Sequence, residues 1–339
     1  MLQQSLKEEN RAGIIGSLSR GLRTTWSTPL ARRAALEKSA IYLILLAIII
    51  AASIISPVFL AQRNMLNMLR LASILGIVAI GQTFVILTGG IDLSVASVMS
   101  LMSILSTNMM QGRPELVIST VLVCLGISLA IGLANGLLVT QVRIPSFIVT
   151  VGMLLIVQGI RFVYSGGVPK GSVPSGFRFL GTGVVGGIPT LVLIVIGLGI
   201  VGALLLGSTL LGRAVYATGG NVRAAKLSGI RVDVVQIVSY MLCSLWAGIA
   251  GLLLTAWIGV ADNWLGRGYE LDSIAAAVIG GAALSGGKGS VWGSLAGALV
   301  IAILYNIVVL VGLDEAFQRV VKGVVIIGAV ALYARLGTR

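Results

Sequence analysis

Histidine is absent from this sequence, and cysteine occurs twice, as Cys124 and Cys243 in two distant apolar runs. The first absence removes the side chain most used for general acid–base work near neutral pH and for metal ligation. The second leaves neither a metal-ligand spacing nor a disulfide framework. Charge is also scarce. Charged residues make up 10% of the 339 residues and apolar residues 57%, against roughly 25% charged in an ordinary soluble domain. Mean hydropathy is +1.05. A chain of this composition cannot cover its surface with polar groups, so a bilayer is the solvent it fits. Acidic residues are the scarcer sign, 11 against 24 basic, which gives a net charge of +13. No basic patch interleaved with aromatic residues is present, as a nucleic-acid surface would require. The excess fits loops that face anionic lipid headgroups.

What the sequence has in quantity is long uncharged runs. Beyond residue 38 they cover 39–62, 71–91, 93–112, 116–142, 144–160, 179–212, 234–261, 273–287, 289–313 and 323–334. A helix crosses a bilayer in about 20 residues. Only helices or closed barrels satisfy every backbone amide in lipid, and these runs lack the two-residue alternation of a barrel strand. The expectation is an all-α membrane protein with about ten transmembrane helices, the runs 273–287 and 323–334 being the shortest. Residues 1–38 carry seven basic and three acidic residues and read as a cytoplasmic tail rather than a signal peptide. With ten alternating spans and both termini cytoplasmic, 15 of the 24 basic residues fall inside and six of the 11 acids outside, in the sense of the positive-inside rule. Two connections are long: 165–188, outside and rich in Gly, Pro and Ser, and 211–232, inside and basic.

The halves echo one another. Gly132-Leu-Ala-Asn-Gly136 resembles Gly293-Ser-Leu-Ala-Gly297, each placing two glycines on one helix face. Gly90-Ile-Asp92-Leu-Ser94 resembles Gly268-Tyr-Glu270-Leu-Asp272. In the topology above these lie on opposite sides, which gives an inverted repeat of helices 2–5 and 7–10, an arrangement frequent among transporters.

The inside connection is the most informative segment. Gly219-Gly220-Asn221 breaks the chain, Asn221 is suited to cap a helix start, residues 222–228 with small Ala224 and Ala225 form a short helix, and Gly229 suits its end. A short helix between two breakers is a rigid knob for a cytoplasmic partner. Gly220 is expected to need a backbone conformation open to glycine alone.

This segment, Gly212-Arg213-Ala-Val-Tyr-Ala217-Thr-Gly219-Gly220-Asn221-Val-Arg-Ala224-Ala225-Lys-Leu-Ser228-Gly229-Ile230, closely resembles the coupling segment of permeases from the ribose/xylose/autoinducer branch of ABC sugar importers. The resemblance extends in order through Gly81–Ser94, Ile144–Thr150 and Ala276–Gly281, from about residue 40 to the end of the sequence. It implies two permease subunits, identical or homologous, around a pore, two ATPase subunits contacting 212–230, and a periplasmic binding protein delivering sugar to the outer loops. It also implies residence in a bacterial inner membrane, with ATP used by the partner subunits and no cofactor held by this chain.

Residues 282–289, Ala-Ala-Leu-Ser-Gly-Gly-Lys-Gly, lack the first glycine and the Ser/Thr of a phosphate loop, so ATP binding is not expected there. Asp92 reads as the acid that stabilises the start of helix 3, although an ion-coupled carrier would claim it as functional. Gln82, Thr83, Asn135, Gln158 and Asn306 are polar at membrane depth. They either line a translocation path for a sugar or bond helices together. Branched-chain amino acids or nucleosides are alternative cargoes. An intramembrane enzyme lacks a catalytic cluster here.

Overall fold

The computed structural model describes residues 29–314, 316–321, 323–324 and 327–328, with side-chain surroundings from residue 41 onward. It is an all-α membrane protein whose helices follow the uncharged runs. They are α1 (Pro29–Ile55), α2 (Gln62–Leu87), α3 (Val95–Met110), α4 (Val117–Thr140), α5 (Ser146–Ser165), α6 (Ser175–Thr182), α7 (Thr190–Ser208), α8 (Leu210–Gly220), α9 (Val222–Leu227), α10 (Val232–Ile258), α11 (Tyr269–Ile279) and α12 (Val291–Leu310). A two-residue hairpin, Val184–Val185 paired antiparallel with Ile188–Pro189, precedes α7. Six helical segments among the described residues are long and apolar enough to cross a membrane, and α3 and the 41–55 part of α1 are shorter apolar helices.

Two helices make the centre. In α2, 78% of the most apolar 18-residue window is buried within the protein, and in α10 67%, against 22% in α4 and in α5. α10 packs on α2, α3 and α4, and α2 packs on α11 and α12. The outer helices turn large apolar side chains outward, among them Ile118 and Leu122 on α4, Leu155 and Val163 on α5, and Leu204 on α7. In water such a surface would be a liability, whereas in lipid it is the solvated face.

Small residues set the closest approaches. A Cβ added at Gly132 would meet Tyr240 O at 2.6 Å, and one at Gly136 would meet Ile237 Cα at 2.7 Å. The α4–α10 contact is therefore backbone against backbone. Gly293 and Gly297 do the same for α12, against Gly280, just past the end of α11, and Ala276 of α11.

α1 starts at Pro29, so the last ten residues of the expected tail are helical. Other expectations need correction. The run 273–287 is not one span. α11 ends at Ile279, and the chain then turns through Gly281, Gly286 and Gly287, all with positive φ. Eleven residues rise about 17 Å, roughly half a bilayer. The run 179–212 contains the end of α6, the hairpin, α7 and the start of α8. The expected final helix over 323–334 lies largely outside the described residues.

Candidate functional site

The segment 210–230 is built from punctuated turns. Thr209 Oγ1 accepts from Gly212 N at 3.1 Å and starts α8. Asn221, extended at φ −161°, ends α8 and starts α9, where its Oδ1 accepts from Ala224 N at 3.0 Å. At the other end Gly229 takes φ +80°, with Gly229 N donating to Lys226 O and Ile230 N to Ala225 O. That pair of bonds is a Schellman closure, which needs a left-handed residue and so favours glycine. α9 is thus fixed at both ends despite its six residues. Ala225 alone on it is buried, and Leu227 is 85% exposed. Arg213, Ala217, Ala224 and Ser228 are exposed beside it.

Behind α9 lies a crowded junction. Gly287 N donates to Leu87 O at 2.9 Å, and Gly219 sits against both of those atoms with no room for a side chain. Gly286 in turn lies over Gly219. Tyr216 donates its hydroxyl to Gly289 O at 2.8 Å, and burial holds its phenol above the ordinary pKa range, so it remains a donor. The end of α8, the end of α2 and the α11–α12 turn therefore meet at one point. Gly220 departs from the expectation. Its φ is not left-handed, and an added Cβ would have nothing within 4 Å. The steric demand belongs to Gly219.

Asp92 is fully buried. Its Oδ1 accepts from Ser94 N at 2.9 Å and Ser94 Oγ at 2.6 Å. It shapes the turn that leads into α3 through Ser94, the residue before the helix, rather than bonding a first-turn amide. With its amide oriented to satisfy both partners, Gln82 donates to Asp92 O at 3.2 Å and accepts from Asp92 N at 3.1 Å. Asn135 Nδ2 donates to Ser94 Oγ at 2.9 Å. Thr83 Oγ1 lies 2.7 Å from Ser294 Oγ. Asn306 exchanges amide bonds with Asn64, at 2.7 and 2.9 Å. These four polar residues bond helix to helix or helix to turn.

Gln158 is placed differently. It borders a cavity of about 200 Å³ between α3, α5 and the α10–α11 connection. Ser97 and Ser100 come from the first turns of α3, Arg161 from α5, Trp264 and Arg267 from the connection, and Glu270 from the first turn of α11. Ser100 Oγ donates to Leu265 O, which pins the connection onto α3. Asn263, also at the cavity, donates to Gly167 O at 3.0 Å and ties it to the 165–188 segment. The cavity and the α9 knob lie toward opposite ends of α10, a helix of 27 residues.

A family profile described as "Branched-chain amino acid transport system / permease component" matches residues 64–330. The chain belongs to this permease family. The permease is 40% identical over 299 residues to the ribose import permease protein RbsC of Bacillus subtilis, covering 88% of this chain and 92% of the relative. It is 40% identical over 301 residues to RbsC of Escherichia coli K12, covering 87% and 92%. It is 33% identical over 325 residues to the galactose/methyl galactoside import permease protein MglC of Salmonella typhimurium, covering 88% and 96%. No solved structure matches it significantly.

Sequence reasoning missed most of the permease's cavity. Arg161 marked the end of the run 144–160, whereas α5 continues past it to Ser165 and carries it inside the helix, 3% exposed. A basic residue just beyond a short apolar run was the available signal.

Proposed function

We propose that this permease is the membrane-spanning subunit of an ATP-binding-cassette importer for a sugar or sugar-like solute. Cargo would arrive on a periplasmic binding protein, and separate ATPase subunits would supply the drive. The observation that carries this reading is α9, a six-residue helix closed at both ends and presenting Leu227 and Val222 outward, 85% and 44% exposed. Neither end needs such closure in a mere connector. A rigid knob with apolar side chains exposed next to Arg223 and Lys226 suits a groove on an ATPase subunit. The ribose and galactose import permeases named above support sugar as cargo. The family description favours branched-chain amino acids as the second reading.

In the proposed arrangement about ten spans leave both termini cytoplasmic in a bacterial inner membrane, with 1–38 as a tail and 39–339 as the permease domain. The segment 211–232 faces the cytoplasm and 165–188 the periplasm. Two permease subunits, identical or homologous, enclose the pore. Spans 2–5 (α2–α5) and spans 7–10 (α10–α12 and the run 323–334) form inverted repeats, supported by matched packing: α10 on α3 and α4, α2 on α11 and α12. The chain itself carries out no reaction and holds no ATP. Closure of the ATPase pair pushes α9. The push reaches α2 and the α11–α12 turn through the contact of Gly219 with Leu87 and Gly287. The pore then changes its side of access, and by linkage cargo delivery outside favours hydrolysis inside.

Reconstitution tests this reading. The permease, placed in vesicles with its ATPase and binding protein, is expected to accumulate labelled ribose or galactose only with ATP. Accumulation by the permease alone, driven by an ion gradient, would make it a secondary carrier.

A further inference from the structure

The cavity by α5 contains groups that packing does not explain. Arg161 is 3% exposed on a membrane-spanning helix, and its buried Nε has no hydrogen-bond partner. A buried ionisable group within a span is expected to face a cavity or a partner rather than lipid. Gln158, one turn earlier and half-buried, has no hydrogen-bond partner among the described residues. Trp264, 53% exposed, also lines the cavity. Its ring is held edge-on by Phe162 at 5.7 Å and by the Arg267 guanidinium 5.3 Å from its centroid. The site therefore brings the Gln158 amide and the Arg161 guanidinium together with an aromatic ring at one cavity.

Charge narrows the ligand. Arg161 and Arg267 are matched by Glu270 in the lining and by Asp262, whose charge acts on Arg161. Two positive and two negative groups leave no net charge at the site to favour an anion or a cation. Glu270 also sits in the first turn of α11, where it offsets the helix dipole that would otherwise attract anions. The volume, about 200 Å³, is below the roughly 300–1,000 Å³ of pockets for drug-sized molecules. The site also stands where two short helices, α3 and α11, begin. Interrupted helices at corresponding positions of two halves are where transporters place their substrate sites.

We infer that this cavity is a stopping site for one neutral monosaccharide where the α10–α11 connection meets the start of α3. Gln158 and Arg161 hydrogen-bond its hydroxyls, and Trp264 covers an apolar face of its ring. This assignment rests on the sugar-importer reading and adds to it a specific place where the cargo leaves the binding protein.

The test uses the complete importer in vesicles and reads sugar moved per ATP hydrolysed, with labelled ribose and labelled galactose as probes. Gln158→Ala and Trp264→Ala are each expected to lower that ratio about tenfold for the sugar that the wild type imports, the loss of about one well-made polar or stacking contact. Trp264→Phe, which keeps an aromatic face, is expected to recover most of it. Leu155→Ala, exposed on α5 and outside the cavity lining, is the control for nonspecific damage. A wild-type ratio in both alanine variants overturns the site while leaving the importer intact. A wild-type complex that moves neither sugar with ATP overturns the importer reading, and this assignment with it.

Discussion

Gly219→Ala is the sharpest perturbation of the proposed relay. Its added methyl would enter the space held by Leu87 O and Gly287 N, the two atoms of a 2.9 Å hydrogen bond. A real Cβ does not approach closer than 3.0 Å, so either that bond breaks or the end of α8 moves away by about 1 Å. Forced overpacking costs about 1–3 kcal/mol and the broken bond about 1 kcal/mol more. The expected destabilisation is therefore about 2–4 kcal/mol, concentrated where α8, α2 and the α11–α12 turn meet. Gly220→Ala, one residue on, meets nothing within 4 Å and should change stability by no more than about 0.5 kcal/mol. The assay pairs sugar uptake at matched membrane abundance with thermal unfolding in detergent. Loss of uptake and a lowered midpoint are expected for Gly219→Ala, with both retained for Gly220→Ala. Wild-type behaviour of Gly219→Ala, or the opposite ranking of the two glycines, would refute the reasoning.

Three further perturbations test separate parts of the account. Asn221→Ala removes the α9 cap and should cost about 1 kcal/mol of local stability. Asn221→Asp keeps an acceptor for Ala224 N and should retain ATPase association in pull-downs where the alanine variant weakens it. Asp92→Asn keeps an acceptor for the Ser94 amide and hydroxyl, so ATP-driven uptake should persist within a few-fold and with unchanged pH dependence. An ion-coupled carrier that used Asp92 would lose uptake in the same assay. Asn64→Leu and Asn306→Leu should each cost about 0.6–1.7 kcal/mol, because each strands the other amide, while the double variant recovers part of the loss. A strictly additive double-mutant cycle by thermal unfolding would contradict the reciprocal pair.

Local features of the sequence were the legible ones. Uncharged runs located the helices because bilayer thickness sets their length, and Asn221 and Gly229 marked the ends of α9 because caps are local chemistry. The glycine pairs on α4 and α12 announced close packing, and both supply it. Features that depend on distant neighbours were hidden. Gly219 and Gly220 are adjacent identical residues, and only the position of Leu87, more than a hundred residues earlier, distinguishes them. Asn306 looked as suited to a pore as Gln158, because its partner Asn64 stands 242 residues away in sequence. Counting charges also treated 273–287 as continuous, since a chain that turns through positive-φ glycines in apolar surroundings contains no charge to betray it. The same count stopped α5 at Arg161, although a buried arginine within a span is a sign of function there. Trp264, Arg267 and Glu270 join Arg161 only through the fold, which brings the α10–α11 connection down onto α3.

The most direct test of the central claim is co-purification from a native membrane. The tagged permease, extracted gently, is expected to bring a stoichiometric Walker-motif ATPase that is lost when residues 219–225 are altered while the permease itself remains in the membrane. A permease that purifies alone and moves its solute in vesicles without ATP would contradict the account.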